Sequence, residues 1–137
     1  MIYNTKKDEL NEVKIKDRIE AVGFKVEATT SFYPFDFKAH SLGDTIYIEY
    51  KKRKVNFGFY PSLLISKHKI DTCLKMASDD KRKFIILIQY NDKIVVCNLK
   101  KYMLSAPKVA GRIDREDPND IAPCYFIENK YFKVWNI

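Results

Sequence analysis

Between residues 7 and 22, apolar side chains recur at spacings of about three and four: Leu10, Val13, Ile15, Ile19 and Val22. That period predicts a helix over KDELNEVKIKDRIEAV. Gly23 follows as a stop, and Lys14, Lys16 and Arg18 put positive charge in the later turns. FKVEAT (24–29) then alternates as a short strand does. FDFKAH (35–40) and TIYIEYKKRKV (45–55) alternate as well, and SLGD between them makes a hairpin. Residues 62–78, SLLISKHKIDTCLKMAS, predict a second helix that buries Ile65, Ile70, Cys73, Leu74 and Ala77. FIILIQY (84–90) is almost wholly apolar, as a central strand covered on both faces would be. NDK turns the chain into IVVCNL (94–99), another strand. The order α-β-β-β-α-β-β predicts an α/β fold, a mixed central sheet flanked by helices. GRIDREDPND (111–120) reads as a charged surface loop, and CYFIENKYFKVW (124–135) as a final hairpin turning at residues 128–130.

The 137 residues suit one domain, 1–137, with a core over about 7–100 and a 101–137 extension carrying the loop and hairpin. The chain is 46% apolar and 14% aromatic, enough for a packed core. It has no apolar run of membrane-spanning length and no secretory leader, so a cytoplasmic protein is expected. Cys73, Cys97 and Cys124 are odd in number and far apart, which argues against a disulfide framework or a zinc site. They read as small buried apolar residues.

Charge changes the picture more. Net charge is +7 and unevenly spread: −2 over residues 1–50, +8 over 51–100 and +1 over 101–137. The excess sits in KKRK (51–54), KHK (67–69) and KRK (81–83). A basic surface of this kind suits a polyanion, although solubilising charge alone gives the same count.

The hairpin carries the candidate chemistry. With a two- or four-residue turn, paired residues sum to 85, so His40 faces Thr45 and Phe37 faces Ile48. Phe35, Phe37, Ala39, Ile46, Ile48 and Tyr50 then share a core face. Asp36, Lys38, His40, Thr45, Tyr47, Glu49 and Lys51 share the other. Asp36 stands opposite Glu49, with Cβ atoms about 4.5–5.5 Å apart. Two such carboxylates need a proton or a cation, and hard oxygen donors suit Mg²⁺ or Mn²⁺. Lys51 projects from the same face, where an ammonium orients water or steadies negative charge. A plainer reading makes the two acids surface residues paired with Lys38 and Lys51.

Asp36 followed by Glu49-Tyr50-Lys51 resembles the PD-(D/E)xK nuclease superfamily, and in element order its small Holliday-junction resolvase-like and phage members. Phe35 stands between Pro34 and Asp36, where the family motif has none. The resemblance implies a restriction-endonuclease-like fold and metal-dependent hydrolysis of DNA phosphodiesters, with selectivity for branched DNA as one form. It implies that Asp36, Glu49 and the Tyr50 carbonyl hold Mg²⁺ or Mn²⁺ and that Lys51 serves the attacking water. A first-helix glutamate joins the site to bind a second metal ion or an outer-shell water: Glu12 by position, with Glu9 and Glu20 as rivals. Lys52, Arg53, Lys54, Lys67 and Lys69 are the candidates for contact with phosphates of DNA. A homodimer is implied for cutting two strands, and a phage origin fits a small lysine-rich nuclease. The alternatives are a catalytically silent nucleic-acid-binding module or a protein-interaction module on the same fold. Tyr33, Tyr47 and Tyr60 are candidates for stacking on bases, or for ordinary packing.

Overall fold

The computed structural model describes residues 6–30, 33–111 and 121–137. Helix α1 (Lys6–Ala21) leads into β1 (Lys25–Ala28), β2 (Phe37–Ser41) and β3 (Asp44–Lys52). β4 (Ser62–Ser66) precedes α2 (Lys67–Asp79), β5 (Lys83–Gln89) and β6 (Ile94–Asn98). β7 (Lys108–Gly111), β8 (Ile121–Glu128) and β9 (Lys133–Val134) complete the chain. Six strands form the main sheet in the order β1-β2-β3-β5-β6-β9, and β4-β8-β7 form a second one. Among the described residues only β3 and β5 run parallel; every other paired strand is antiparallel. The expected mixed α/β sheet with flanking helices is present.

The β2–β3 hairpin keeps the expected register, with Phe37 opposite Ile48 and His40 opposite Thr45. Its turn is two residues, Leu42 and Gly43, both at positive φ (50° and 80°). That double positive φ is what a tight, right-twisted hairpin requires.

Both faces of the main sheet are covered. On one, Ile15 and Ile19 of α1 pack with Phe37, Ile48, Tyr50 and Leu87. On the other, Ile70, Cys73 and Ala77 of α2 pack with Tyr47, Phe84, Ile86 and Ile88, and Leu63, Ile65, Tyr125 and Ile127 of the second sheet join them. β5 supplies buried residues to both cores, as its unbroken apolar run foretold.

Four expectations need correction. In α1 the buried face is Glu12, Ile15 and Ile19, while Leu10, Val13 and Val22 are exposed. Residues 62–66 form a strand, not the first turn of a helix. Their alternation buries Leu63 and Ile65, and their partner is β8, some sixty residues later in the chain. The helix starts at Lys67, capped by Ser66, whose hydroxyl accepts from the Lys69 amide. Third, 124–135 is not a hairpin: β8 pairs with β4 and β7, whereas β9 crosses to pair with β6 in the other sheet. A 3-10 turn over Asn129–Tyr131 makes the switch.

The fourth is Phe35. It lies on the Tyr47 face, stacked on that ring at 4.2 Å between centroids, not beside Phe37. The cause is local. β2 begins at Phe37, and residues 33–36 bend away from ideal pleating. The Asp36 amide donates to the Ile48 carbonyl (2.9 Å), one residue short of the hairpin register. Strand alternation therefore stops at Phe37, and Asp36 already lies in the bend. The loop GRIDREDPND lies almost wholly outside the described residues, and so does Glu9 as far as its side chain is concerned.

Candidate active site

Three charged residues are buried among those described: Glu12 at 8% exposure, Asp36 at 4% and Glu49 at 2%. Burying a carboxylate is costly unless something compensates for the lost water. Of the five acids singled out from the sequence, Glu12, Asp36 and Glu49 fold inside and Glu20 is exposed, while the Glu9 side chain lies outside the described residues. The surface-pair reading fails on that burial, and Lys38 lies over the Tyr33 ring (4.2 Å).

Asp36 is held by backbone. Its Oδ2 accepts the Tyr50 amide at 2.8 Å, and its own amide bonds Ile48, so it straddles the position of Glu49. The Thr29 hydroxyl and amide both donate to the Asp36 carbonyl. The bend that sends Phe35 across the sheet therefore also fixes the acid.

Glu49 lies on the α2 face. Its Oε1 takes the Lys69 ammonium at 2.9 Å. Its Oε2 is buried and makes no hydrogen bond. Burial, and then the neighbouring Asp36 charge, push its pKa up to about 8; Lys69 and Lys51 pull the other way. Burial lowers the pKa of Lys51, with the charges of Lys69 and Arg53 adding to that and the charge of Glu49 opposing it. Lys69 is also desolvated, but the Glu49 carboxylate outweighs this and its pKa is raised. Cys73, near Glu49 beneath α2, is driven up to about 12 by burial first, and so stays a neutral thiol.

Glu12 faces the other core. Burial comes first in raising the Tyr50 phenol to about 12, and the Glu12 charge comes next. The Tyr50 hydroxyl donates to Gln89 Oε1 at 2.7 Å. Among the described residues no three acids, histidines or cysteines converge tightly enough to hold one ion, so Glu12 is not drawn into a cluster with Asp36 and Glu49. Gln89 was passed over in the sequence. As the one polar residue in FIILIQY, it carried a signal.

The basic candidates separate. Lys69 reaches the acid pair. Lys67 points elsewhere, onto Asp71 (2.5 Å), which also accepts from the Tyr125 hydroxyl. Two residues apart on a helix is about 200°, so one of them must turn away. Lys52 and Lys54 are exposed, and Lys52 reaches Asn11 of α1 at 3.4 Å. Arg53 is half-buried beside Tyr90. Tyr33 and Tyr47 pack against Phe35; of the three tyrosines considered, Tyr60 alone is exposed. His40 is tied to Thr45 and Glu27. All three cysteines are buried, and none is in a disulfide.

The site thus offers two buried carboxylates, one oxygen without a hydrogen-bond donor, and two ammonium groups. A buried acceptor that lacks a donor fits a cation.

A family model described as "Phage putative PDDEXK endonuclease" matches residues 1–134. No curated protein matches the sequence. Among solved structures, a Holliday junction resolvase, Hjc, from the archaeal hyperthermophile Archaeoglobus fulgidus is similar in fold. Its TM-score is 0.60 at 15% identity, with 87% of this chain and 88% of that one covered.

Proposed function

The chain belongs to the phage PDDEXK endonuclease family, and from that premise we propose that it is a Mg²⁺- or Mn²⁺-dependent DNA endonuclease acting through the Asp36–Glu49 pair. The observation that carries this is Glu49: almost fully buried, raised in pKa, and keeping one oxygen without a donor. An acid so placed is a poor structural choice and a good cation ligand.

Asp36, Glu49 and the Tyr50 carbonyl would hold the ion. A bound divalent ion polarises a phosphoryl oxygen and makes water a stronger nucleophile near neutral pH. Asp36 is pre-aimed by the Tyr50 amide, which limits the reorganisation that loading requires. Lys51, half-buried on the Glu49 face, holds the attacking water and can accept or release a proton more readily than a solvated lysine. Lys69 neutralises Glu49 and lies at the same place, ready to turn to the negative charge of a phosphate. Glu12 acts from the α1 side through Tyr50 and Gln89, as a positioning residue. Lys52 and Lys54 meet flanking phosphates, a salt-dependent and sequence-blind contact.

Branched DNA is the substrate class we favour, because the fold neighbour is described as a Holliday junction resolvase. Cutting two strands needs two sites, which a two-fold pair of chains would supply.

The test is incubation with plasmid, single-stranded and branched DNA in Mg²⁺, Mn²⁺ or EDTA, with Glu49→Ala and Lys51→Ala alongside. Cutting should need the metal, vanish in Glu49→Ala and fall by about 10²-fold or more in Lys51→Ala. Cutting that survives EDTA, or survives both substitutions, defeats the mechanism.

A further inference from the structure

Nine residues after β3, 53–61 (RKVNFGFYP), connect the acid-bearing strand to β4. The loop is pinned along its length. The Arg53 amide donates to the Gln89 carbonyl (3.0 Å), and the Asn91 amide donates to that of Val55 (3.0 Å). The Phe57 amide donates to Asp92 Oδ1 (2.8 Å). At the far end Asn129 donates to the carbonyls of Tyr60 (2.6 Å) and Pro61 (3.1 Å). Phe57 packs inward on Tyr90. Gly58 takes φ +96°, a left-handed conformation that reverses the chain between the inward and outward rings.

What this rigid loop presents is two aromatic rings to solvent. Phe59 is 67% exposed and Tyr60 60%, edge to face at 4.8 Å. One exposed ring is unremarkable on any surface. Two adjacent rings on a backbone fixed at both ends differ, because the ordering cost of a binding surface has been met in advance. Their setting selects the ligand. The same connection carries exposed Lys54 and departs from the strand that bears Glu49, Lys51 and, at its end, exposed Lys52. A second copy of this chain would bring a like-charged collar against it, since residues 51–100 carry net +8. A polyanion with flat apolar faces matches both the charge and the rings. In duplex DNA those faces are already stacked; only unpaired bases offer them.

We propose that Phe59 and Tyr60 form a stacking platform for unpaired nucleobases on the connection that leaves the acid-bearing strand, so that the enzyme prefers DNA with unpaired bases at a flap, bulge or open branch. This rests on the nuclease reading and specifies its substrate.

The test uses the whole chain in EDTA, so that binding is read without cutting. The two probes are a duplex and the same duplex with a short single-stranded flap, 2-aminopurine marking the flap. Wild type should bind the flapped DNA about 10-fold or more tightly than duplex and quench the probe. The Phe59→Ala/Tyr60→Ala double variant should lose about 10- to 100-fold on flapped DNA, by the usual worth of base stacking, and roughly 2-fold or less on duplex. A Phe59→Trp/Tyr60→Trp variant should restore the preference. Equal binding of both probes by wild type overturns the platform alone. So does an equal loss on both probes, or an altered sedimentation coefficient in the alanine variant, which would make the rings an interface between copies. Wild type that prefers the flap yet never cuts in Mg²⁺ or Mn²⁺ upholds the platform and defeats the nuclease reading instead.

Discussion

The Lys69 ammonium sits 2.9 Å from Glu49 Oε1, and the carboxylate is almost fully buried while the lysine is about one-third exposed. The lysine thus supplies from α2, at Oε1, the positive charge that Glu49 needs, on the same carboxylate whose donor-free Oε2 would meet a divalent ion. Lysine and ion compete. Replacing Lys69 with Met should therefore tighten Mn²⁺ binding while destabilising the metal-free fold. The cost should be about 1–3 kcal/mol, below the ~3–5 of a fully buried pair because solvent screens the exposed lysine. Calorimetric titration with Mn²⁺ and urea unfolding in EDTA measure the two effects. Unchanged affinity would mean that the lysine and the ion do not share the site.

The raised pKa of Glu49 links stability to pH in a definite direction. Its ordinary value is 4.5 and its folded value about 8, so the folded chain binds this proton more tightly than the unfolded chain. The associated stability is complete below about 4.5 and is lost as pH rises through about 8. Thermal unfolding in EDTA should show melting temperature falling across that window. Glu49→Gln should flatten the fall, and saturating Mg²⁺ should reduce it in the wild type.

Lys51 is not among the ion's donors, so Lys51→Ala should separate binding from turnover. Mn²⁺ affinity should change by about 10-fold or less, whereas cleavage should drop by about 10²-fold or more, the usual worth of a positioned acid or base. The pairing of titration with a plasmid-nicking assay reads both.

Phe35, the residue before Asp36, stacks on Tyr47. Phe35→Ala should cost about 3–5 kcal/mol as a large-to-small change at a fully buried ring. It should also weaken Mn²⁺ binding, because the bend that aims Asp36 loses its anchor. Tyr47→Phe removes only the hydroxyl bond to Asp80 (2.5 Å) and should cost about 1–2 kcal/mol with Mn²⁺ affinity unchanged. Urea unfolding and titration distinguish the two.

Local pattern determined much of this protein. The β2–β3 register followed from Leu42-Gly43 and the alternation on each side, both short-range properties of the chain. From that register Asp36 is expected directly opposite Glu49, whereas the paired residues end at Phe37 and Ile48 and Asp36 is offset by one, its charge still acting on Glu49; β5 was legible as a central strand from its apolar run alone. Tertiary structure decided what depends on distant partners. SLLIS became β4 only because β8 pairs with it from across the chain, and a three-residue apolar run carries no period long enough to tell strand from helix. The final aromatic segment split between two sheets for the same reason: pairing energy lies in the partner strand, not in the segment. Which lysine of KHK would find Glu49 depended on how α2 is rotated over the sheet, and that rotation is set by the burial of Ile70, Cys73 and Ala77. Phe35 crossed to the Tyr47 face because a single backbone bond, from Asp36 to Ile48, broke the alternation that the sequence implied.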